Sequence, residues 1–190
     1  MERTAAILSA SVVLAAGLLT LSQVEAGRLS MQMVLHLAAM NVAAPMAATV
    51  LPAWPARRSF LWTAALTQIL LLWAWHAPAS QQAAAAAPLL HVAMLVSLSL
   101  VALLFWYAVL SSASERRWSA VMALLLTGKL ACLLGALLIF APSDLYRLGS
   151  LDDQQLAGLL MVTACPLSYL VAGVVLAAQA LAHPERVEAR

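Results

Sequence analysis

The sequence predicts an all-α membrane protein: a single-domain bundle of six transmembrane helices with both termini in the cytoplasm. Its 190 residues are 64% hydrophobic and only 9% charged, whereas about 25% of the residues in a soluble domain are charged. The apolar runs are long enough to cross a bilayer, which takes about 20 helical residues. No strand-like alternation competes with them, and no basic stripe indicates a nucleic-acid partner.

The predicted helices are joined by short connections. Their spans are residues 5–24, 31–53, 59–76, 88–112, 118–141 and 154–182. The first run resembles a signal peptide near Val24–Ala26, but its length and single preceding arginine favour a retained helix. The Ala-rich, uncharged residues 77–87 predict a short surface helix or a protein interface. At the start of the last run, Asp152 and Gln155 predict a capping box. Asp152 and Asp153 are expected first to cap the helix, and attracting a cation from outside is their alternative role.

The arrangement of the arginines predicts the orientation, because cytoplasmic loops carry an excess of basic residues. Two arginines, Arg28 and Arg147, fall on the side opposite the amino terminus. Seven fall on the same side as the amino terminus: Arg3, Arg57, Arg58, Arg116, Arg117, Arg186 and Arg190. Both termini are therefore expected to be cytoplasmic.

Soft metal ligands gather at the end of the bundle that this orientation places outside. In the second run, Met33, His36 and Met40 are spaced so that they share one helix face. Thioether and imidazole groups together suit Cu(I) better than zinc or a hard cation. A methionine in an apolar helix is more often a packing residue, but a histidine inside a bilayer needs a cavity or a partner.

Further candidate ligands lie at the same end of the neighbouring runs. His76 ends the third run, His91 and Met94 open the fourth, and Met161 lies in the last. We therefore expect a shared copper site of His36, His76 and His91 with nearby thioethers, although a boundary histidine can also be simply solvated.

Lys129 is a cation in the middle of an apolar run, and an intramembrane charge is by default a functional residue. No carboxylate lies at its depth. Asn41, Ser168 and Tyr169 are candidate hydrogen-bonding partners, and snorkelling or a neutral amine are the alternatives. The two cysteines, Cys132 and Cys165, lie at mid-membrane. They either cooperate in Cu(I) binding or behave as small apolar residues.

Four motifs resemble those of the CtaG-type (Bacillus-type) membrane proteins required for assembly of bacterial cytochrome c oxidase. The most specific is Asp153–Met161, DQQLAGLLM, which is similar to the family's DQQLAG signature. Trp75–Pro78 is a WHxP-type motif, and His36 followed by Asn41–Pro45 resembles the family's His-then-AAP helix. Leu104–Tyr107 resembles its LFWW segment, with His91 upstream. The matches run from about residue 31 to residue 165 in the family's order.

The resemblance implies a multi-pass protein of the bacterial inner membrane that helps cytochrome c oxidase subunits mature, with copper insertion as the expected role and without an enzymatic reaction. Three positions depart from the pattern. Gln32 and Leu95 stand where the family usually carries further histidines, and Val162 replaces a tryptophan. The departures leave two alternatives to Cu(I) handling: a haem-binding redox protein with histidines on facing helices, and an accessory oxidase subunit without its own metal.

Overall fold

The structure is a computed structural model, and it describes residues 27–52, 58–112 and 116–182. Its helices are α1 (Arg28–Val50), α2 (Arg58–Trp75), α3 (Pro78–Ala86), α4 (Pro88–Leu110), α5 (Arg117–Phe140) and α6 (Leu151–Ala182). These three ranges contain no strand. The all-α prediction is confirmed, while the helix predicted at 5–24 lies outside the described residues.

Within the described ranges, four helices are long and apolar enough to cross a membrane: α1, α4, α5 and α6. The pair α2 and α3, bent by 70° at a short break, supplies a fifth span if the pair is counted as one. The short helix predicted within residues 77–87 is α3. The orientation of the termini stays a prediction.

The spanning helices form a closed ring in the order α1, α6, α5, α2 and α4, each packing against the next. The most extensive contact joins α5 and α6, which run antiparallel and approach closely at two glycines. A Cβ added to Gly135 would lie 2.9 Å from the carbonyl oxygen of Gly158. Small residues of this kind let helices approach closely in lipid, where no hydrophobic effect drives them together.

The carboxylate of Asp153 joins the first turn of α6 to the first turn of α1. It accepts hydrogen bonds from the backbone N–H groups of Leu29, at 2.9 Å, and Ser30, at 3.1 Å, and from the Ser30 hydroxyl. These N–H groups have no partner within α1, so a residue from another helix caps it. The approach requires glycine at position 27, because a Cβ there would lie 2.2 Å from the Asp153 carboxyl carbon.

The capping box predicted for Asp152 and Gln155 is wrong. Ser150 caps α6 instead: its hydroxyl oxygen accepts the backbone N–H of Asp153 at 3.2 Å. Asp152 is exposed to the surroundings, and the Gln155 amide donates to the carbonyl of Ile139 at 3.2 Å, at the end of α5. The sequence placed the cap two residues too late because Asp152 is an equally good capping residue type.

Gln154 continues this set of contacts between helix ends. Its amide nitrogen donates to the carbonyl of Leu138 at 3.1 Å, and its amide oxygen accepts the backbone N–H of Leu145 at 2.7 Å. The three polar side chains of the signature, Asp153 to Gln155, thus satisfy backbone groups at the start of α1, the end of α5 and the connection between α5 and α6.

The middle of α1 contains a widened turn, a π-helix at Ala38–Ala43. Pro45 follows it and has no N–H to donate to the carbonyl of Met40, five residues earlier, which is the acceptor in π-helix geometry. The indole N–H of Trp106 donates to the buried carbonyl of Met40 at 3.0 Å, so α4 stabilises the turn. Such turns are frequent at functional sites, and this one lies one turn from His36.

We expect Asp153→Ala to destabilise the protein by about 1–3 kcal/mol, because two backbone N–H groups and a buried hydroxyl lose their acceptor. The matched control is Asp152→Ala, which removes the neighbouring, exposed carboxylate. Thermal unfolding in detergent, followed by circular dichroism, measures both. Equal stability of the two variants would contradict the role given to Asp153.

Candidate metal site

A cavity of about 20 Å³ lies inside the ring, between α1, α2, α5 and α6. A volume of this size holds about one water molecule or one ion. Six of its lining residues carry ring nitrogens or sulfur, namely Met33, His36, Met40, His76, Met161 and Cys165. The cavity therefore has room for about one ion and is lined by several soft donor atoms.

His76, directly after α2, presents one ring nitrogen without a partner. Its Nδ1 lies 2.7 Å from the carbonyl oxygen of Leu72. A carbonyl only accepts hydrogen bonds, so Nδ1 carries the proton and Nε2 keeps a free lone pair. The side chain is only 3% exposed, and Nε2 has no hydrogen-bond partner. Histidines that bind metals usually donate the other ring N–H to a carbonyl or carboxylate in this way.

The backbone of His76 is held by Tyr146, in the connection between α5 and α6. The Tyr146 hydroxyl donates to the His76 carbonyl at 2.9 Å. Burial raises the pKa of Tyr146 well above its ordinary value, because the charged phenolate is disfavoured away from water. The hydroxyl therefore remains a donor over the physiological pH range.

His36 lies beside His76, and neither of its ring nitrogens has a hydrogen-bond partner. The side chain is 4% exposed. The centroids of the two imidazole rings are 5.9 Å apart, with the ring planes at 64°. Two imidazoles that bind one first-row metal ion place their centroids roughly 5–6 Å apart, because each metal–nitrogen bond is about 2 Å long. The observed spacing fits one shared ion.

Three thioethers line the same cavity, two from α1 and one from the signature of α6. Met33, Met40 and Met161 are all nearly fully buried. The predicted face of Met33, His36 and Met40 thus points into the bundle. Cys165, one helical turn beyond Met161, also lines the cavity, whereas Cys132 does not. Both thiols are free.

Two of the expected ligands, His91 and Met94, are not among the residues that line the cavity. His91 is partly exposed in the first turn of α4. The sulfur of Met94 accepts hydrogen bonds from the amides of Gln32, at 3.7 Å, and Gln81, at 3.8 Å. In the described part of the chain, no three His, Cys, Asp or Glu side chains are grouped so that they could hold a metal.

The deeper end of the cavity is polar, a feature that the sequence reasoning missed. Gln68 and Thr127 line it together with Asn41, and each has a buried side-chain polar atom without a partner. The Gln68 amide donates to the hydroxyl of Tyr169 at 2.6 Å, and the Tyr169 ring stacks on Trp106 with centroids 5.3 Å apart. Polar residues within apolar runs were the available signal, since they need a cavity or a partner in lipid.

Lys129 lies apart from this site, on the exposed face of α5. Two of its three expected partners, Asn41 and Tyr169, line the cavity on the other side of the helix. The third, Ser168, has a hydroxyl without a hydrogen-bond partner. The lysine is therefore not part of the cavity.

The comparisons with known proteins agree with the motifs. No curated protein and no solved structure is significantly similar to the chain. One family model matches residues 1–183, and its description is "Cytochrome c oxidase caa3 assembly factor". The match covers almost the whole chain, including every described helix. The chain therefore belongs to the cytochrome c oxidase caa3 assembly factor family.

Proposed function

We propose that this protein helps cytochrome c oxidase assemble by holding Cu(I) in the cavity and passing it to an oxidase subunit. The observation that carries the proposal is the pair of buried histidines with unpartnered ring nitrogens, beside three methionine thioethers. Unpaired polar atoms in a bilayer cost free energy unless a ligand satisfies them. Copper is the cargo here, and handing on an ion requires no catalytic group, so we propose a non-enzymatic role.

The donor types favour Cu(I) over zinc. Structural zinc sites use four Cys, His, Asp or Glu ligands, and catalytic sites use three, whereas the described part of this chain contains no such group of three. Thioethers are soft ligands that select Cu(I), and three of them line the cavity with His36 and His76. A set of this kind binds through few, exchangeable bonds, as a protein that hands on its metal requires.

The size of the cavity argues against the haem alternative. A site for a ligand of that size occupies about 300–1,000 Å³, and this cavity measures about 20 Å³. An accessory subunit without its own metal remains the competing function. It predicts that the purified protein binds no copper, which the second experiment below measures directly.

The proposal places the cavity near the outer face of the bacterial cytoplasmic membrane, where the arginine pattern puts His36, His76 and α3. A membrane-impermeant thiol reagent added to spheroplasts should label Ala83→Cys, on the exposed face of α3, but not Gln179→Cys, near the end of α6. Both variants would be made in a background with Cys132 and Cys165 replaced by serine. The opposite labelling pattern would overturn the orientation and with it delivery at the outer face.

We expect the purified protein to bind about one equivalent of Cu(I), and His36→Ala or His76→Ala to weaken binding at least about tenfold, because each removes one proposed ligand. Competition with bicinchoninate, a coloured Cu(I) chelator, measures the affinity. His91→Ala is the matched control: it removes a histidine of the same membrane end that does not line the cavity. Equal weakening by all three would support the three-histidine site expected from the sequence.

In cells, His36→Ala should lower the copper content and activity of the oxidase more than His91→Ala at matched expression. Added copper should partly restore both, because a higher concentration compensates for weaker binding. Activity and copper would be measured in membranes from cells grown in copper-poor and copper-supplemented medium. Fully loaded oxidase in copper-poor His36→Ala cells would exclude the copper-carrier function.

A further inference from the structure

Lys129 lies near the middle of α5 and points away from the bundle. It is exposed, and its helix face carries large apolar side chains that are also exposed. These are Met122, Leu125, Leu126, Leu133 and Leu137, each at least 42% exposed. The opposite face of α5 packs inside the ring and includes Thr127 and Ala131, which line the cavity. Lys129 is therefore a charged residue within an exposed apolar surface of α5 that otherwise suits contact with lipid.

The bilayer headgroups are too far away for the lysine to reach them easily. Lys129 lies twelve residues after the start of α5 and eleven before its end, which is about 16–18 Å from either end of the helix. A snorkelling lysine extends only its four-carbon stem toward the interface. The side chain of Lys129 therefore spans roughly a third of the distance to either end of α5. The charge needs a partner closer to the midplane.

Neither the described part of this chain nor the sequence of a second copy offers that partner. No hydrogen bond or ion pair of Lys129 occurs within the part of the chain that the structure describes. In the sequence, the eight acidic residues lie at the ends of the apolar runs, between them or beyond them: Glu2, Glu25, Glu115, Asp144, Asp152, Asp153, Glu185 and Glu188. None falls in the middle of an apolar run, so a neighbouring copy would offer no carboxylate at this depth.

We propose that the outer face of α5 binds a transmembrane helix of another membrane protein, which carries an Asp or Glu near the bilayer midplane opposite Lys129. The charges are complementary, and pairing in lipid lowers the cost of two isolated charges. The surrounding leucines supply the van der Waals contacts that hold helices together in a membrane. This surface is separate from the cavity, so the proposal does not depend on copper binding.

The test uses the full-length protein in phosphatidylcholine vesicles with synthetic helices as the probe. Leucine-alanine peptides of about 23 residues carry Asp, Asn or Leu at the centre, and energy transfer from a labelled tag on the protein reports association. We expect the wild-type protein to bind the Asp peptide about fivefold or more tightly than the Leu peptide. Lys129→Met should abolish that preference, and Lys129→Arg should retain it.

A control variant with the lysine moved to α6 distinguishes the effect of the α5 face from the effect of the charge alone. In the antiparallel pair of α5 and α6, Gly128 lies against Tyr169 and Gly135 lies against Gly158. This pairing places Leu167 of α6 at nearly the same membrane depth as Lys129. The Leu167 side chain is 58% exposed. The double variant Lys129→Met, Leu167→Lys moves the charge to another outward face. Failure of this variant to bind the Asp peptide preferentially would support a site on α5.

Two results would overturn the proposal. One is a wild-type protein that binds the Asp and Leu peptides equally. The other is a double variant that binds the Asp peptide as tightly as the wild type, which would mean that any lysine at this depth suffices. Circular dichroism and size-exclusion elution check that the variants are folded, and unchanged Cu(I) affinity of Lys129→Met separates this outcome from failure of the copper proposal.

Discussion

The hydrogen bonds of Asp153 fix the end of the bundle on which the candidate site depends. One carboxylate caps α1 from across a helix interface, and the two glutamines after it bind backbone groups at the end of α5. In a bilayer, helix-end groups without water or protein partners are costly. The cap therefore fixes where α1 begins, and the position of His36 nine residues into that helix follows from it.

Two sets of polar groups in the bundle differ in their hydrogen bonding. Those of the DQQ signature are hydrogen-bonded, and they act between helices rather than on a ligand. Those around the cavity are only partly hydrogen-bonded: His36, His76, Asn41 and Thr127 each keep at least one buried atom without a partner. Proteins rarely leave such atoms unpaired, so the second set is where a ligand or ordered water is needed. The polar residues of the signature thus join the helix ends, and the candidate metal ligands come from the less specific His motifs together with Met161 of the signature.

Composition and hydropathy predicted the helix class and the order of the described spans, because apolar length is a strong signal. The pairing of residues across helices was harder to predict. Met33, His36 and Met40 were assigned to one face correctly, because that face follows from helix period alone. The contributions of Gln68 and Thr127 depend on which helices become neighbours in the ring. The order of the helices in the ring does not follow from hydropathy. For the same reason Asn41 and Tyr169, two of the three candidate partners of Lys129, were not recognised as cavity residues.

Gln32, which stands where the family pattern has a histidine, takes part in hydrogen bonds that limit the donors available to the candidate metal site. Gln32 is buried and donates to the amide oxygen of Gln81 at 3.0 Å, and both amides also donate toward the sulfur of Met94. A histidine at position 32 would offer a further ring nitrogen at this end of α1, but here the glutamine forms a closed polar cluster with α3. Met94 is engaged in that cluster and is not one of the residues that line the cavity.

The donors that remain for the candidate site are His36, His76 and the cavity thioethers. In the proposed function, the two imidazoles and the cavity thioethers would hold Cu(I) through few, exchangeable bonds, as transfer to a partner requires.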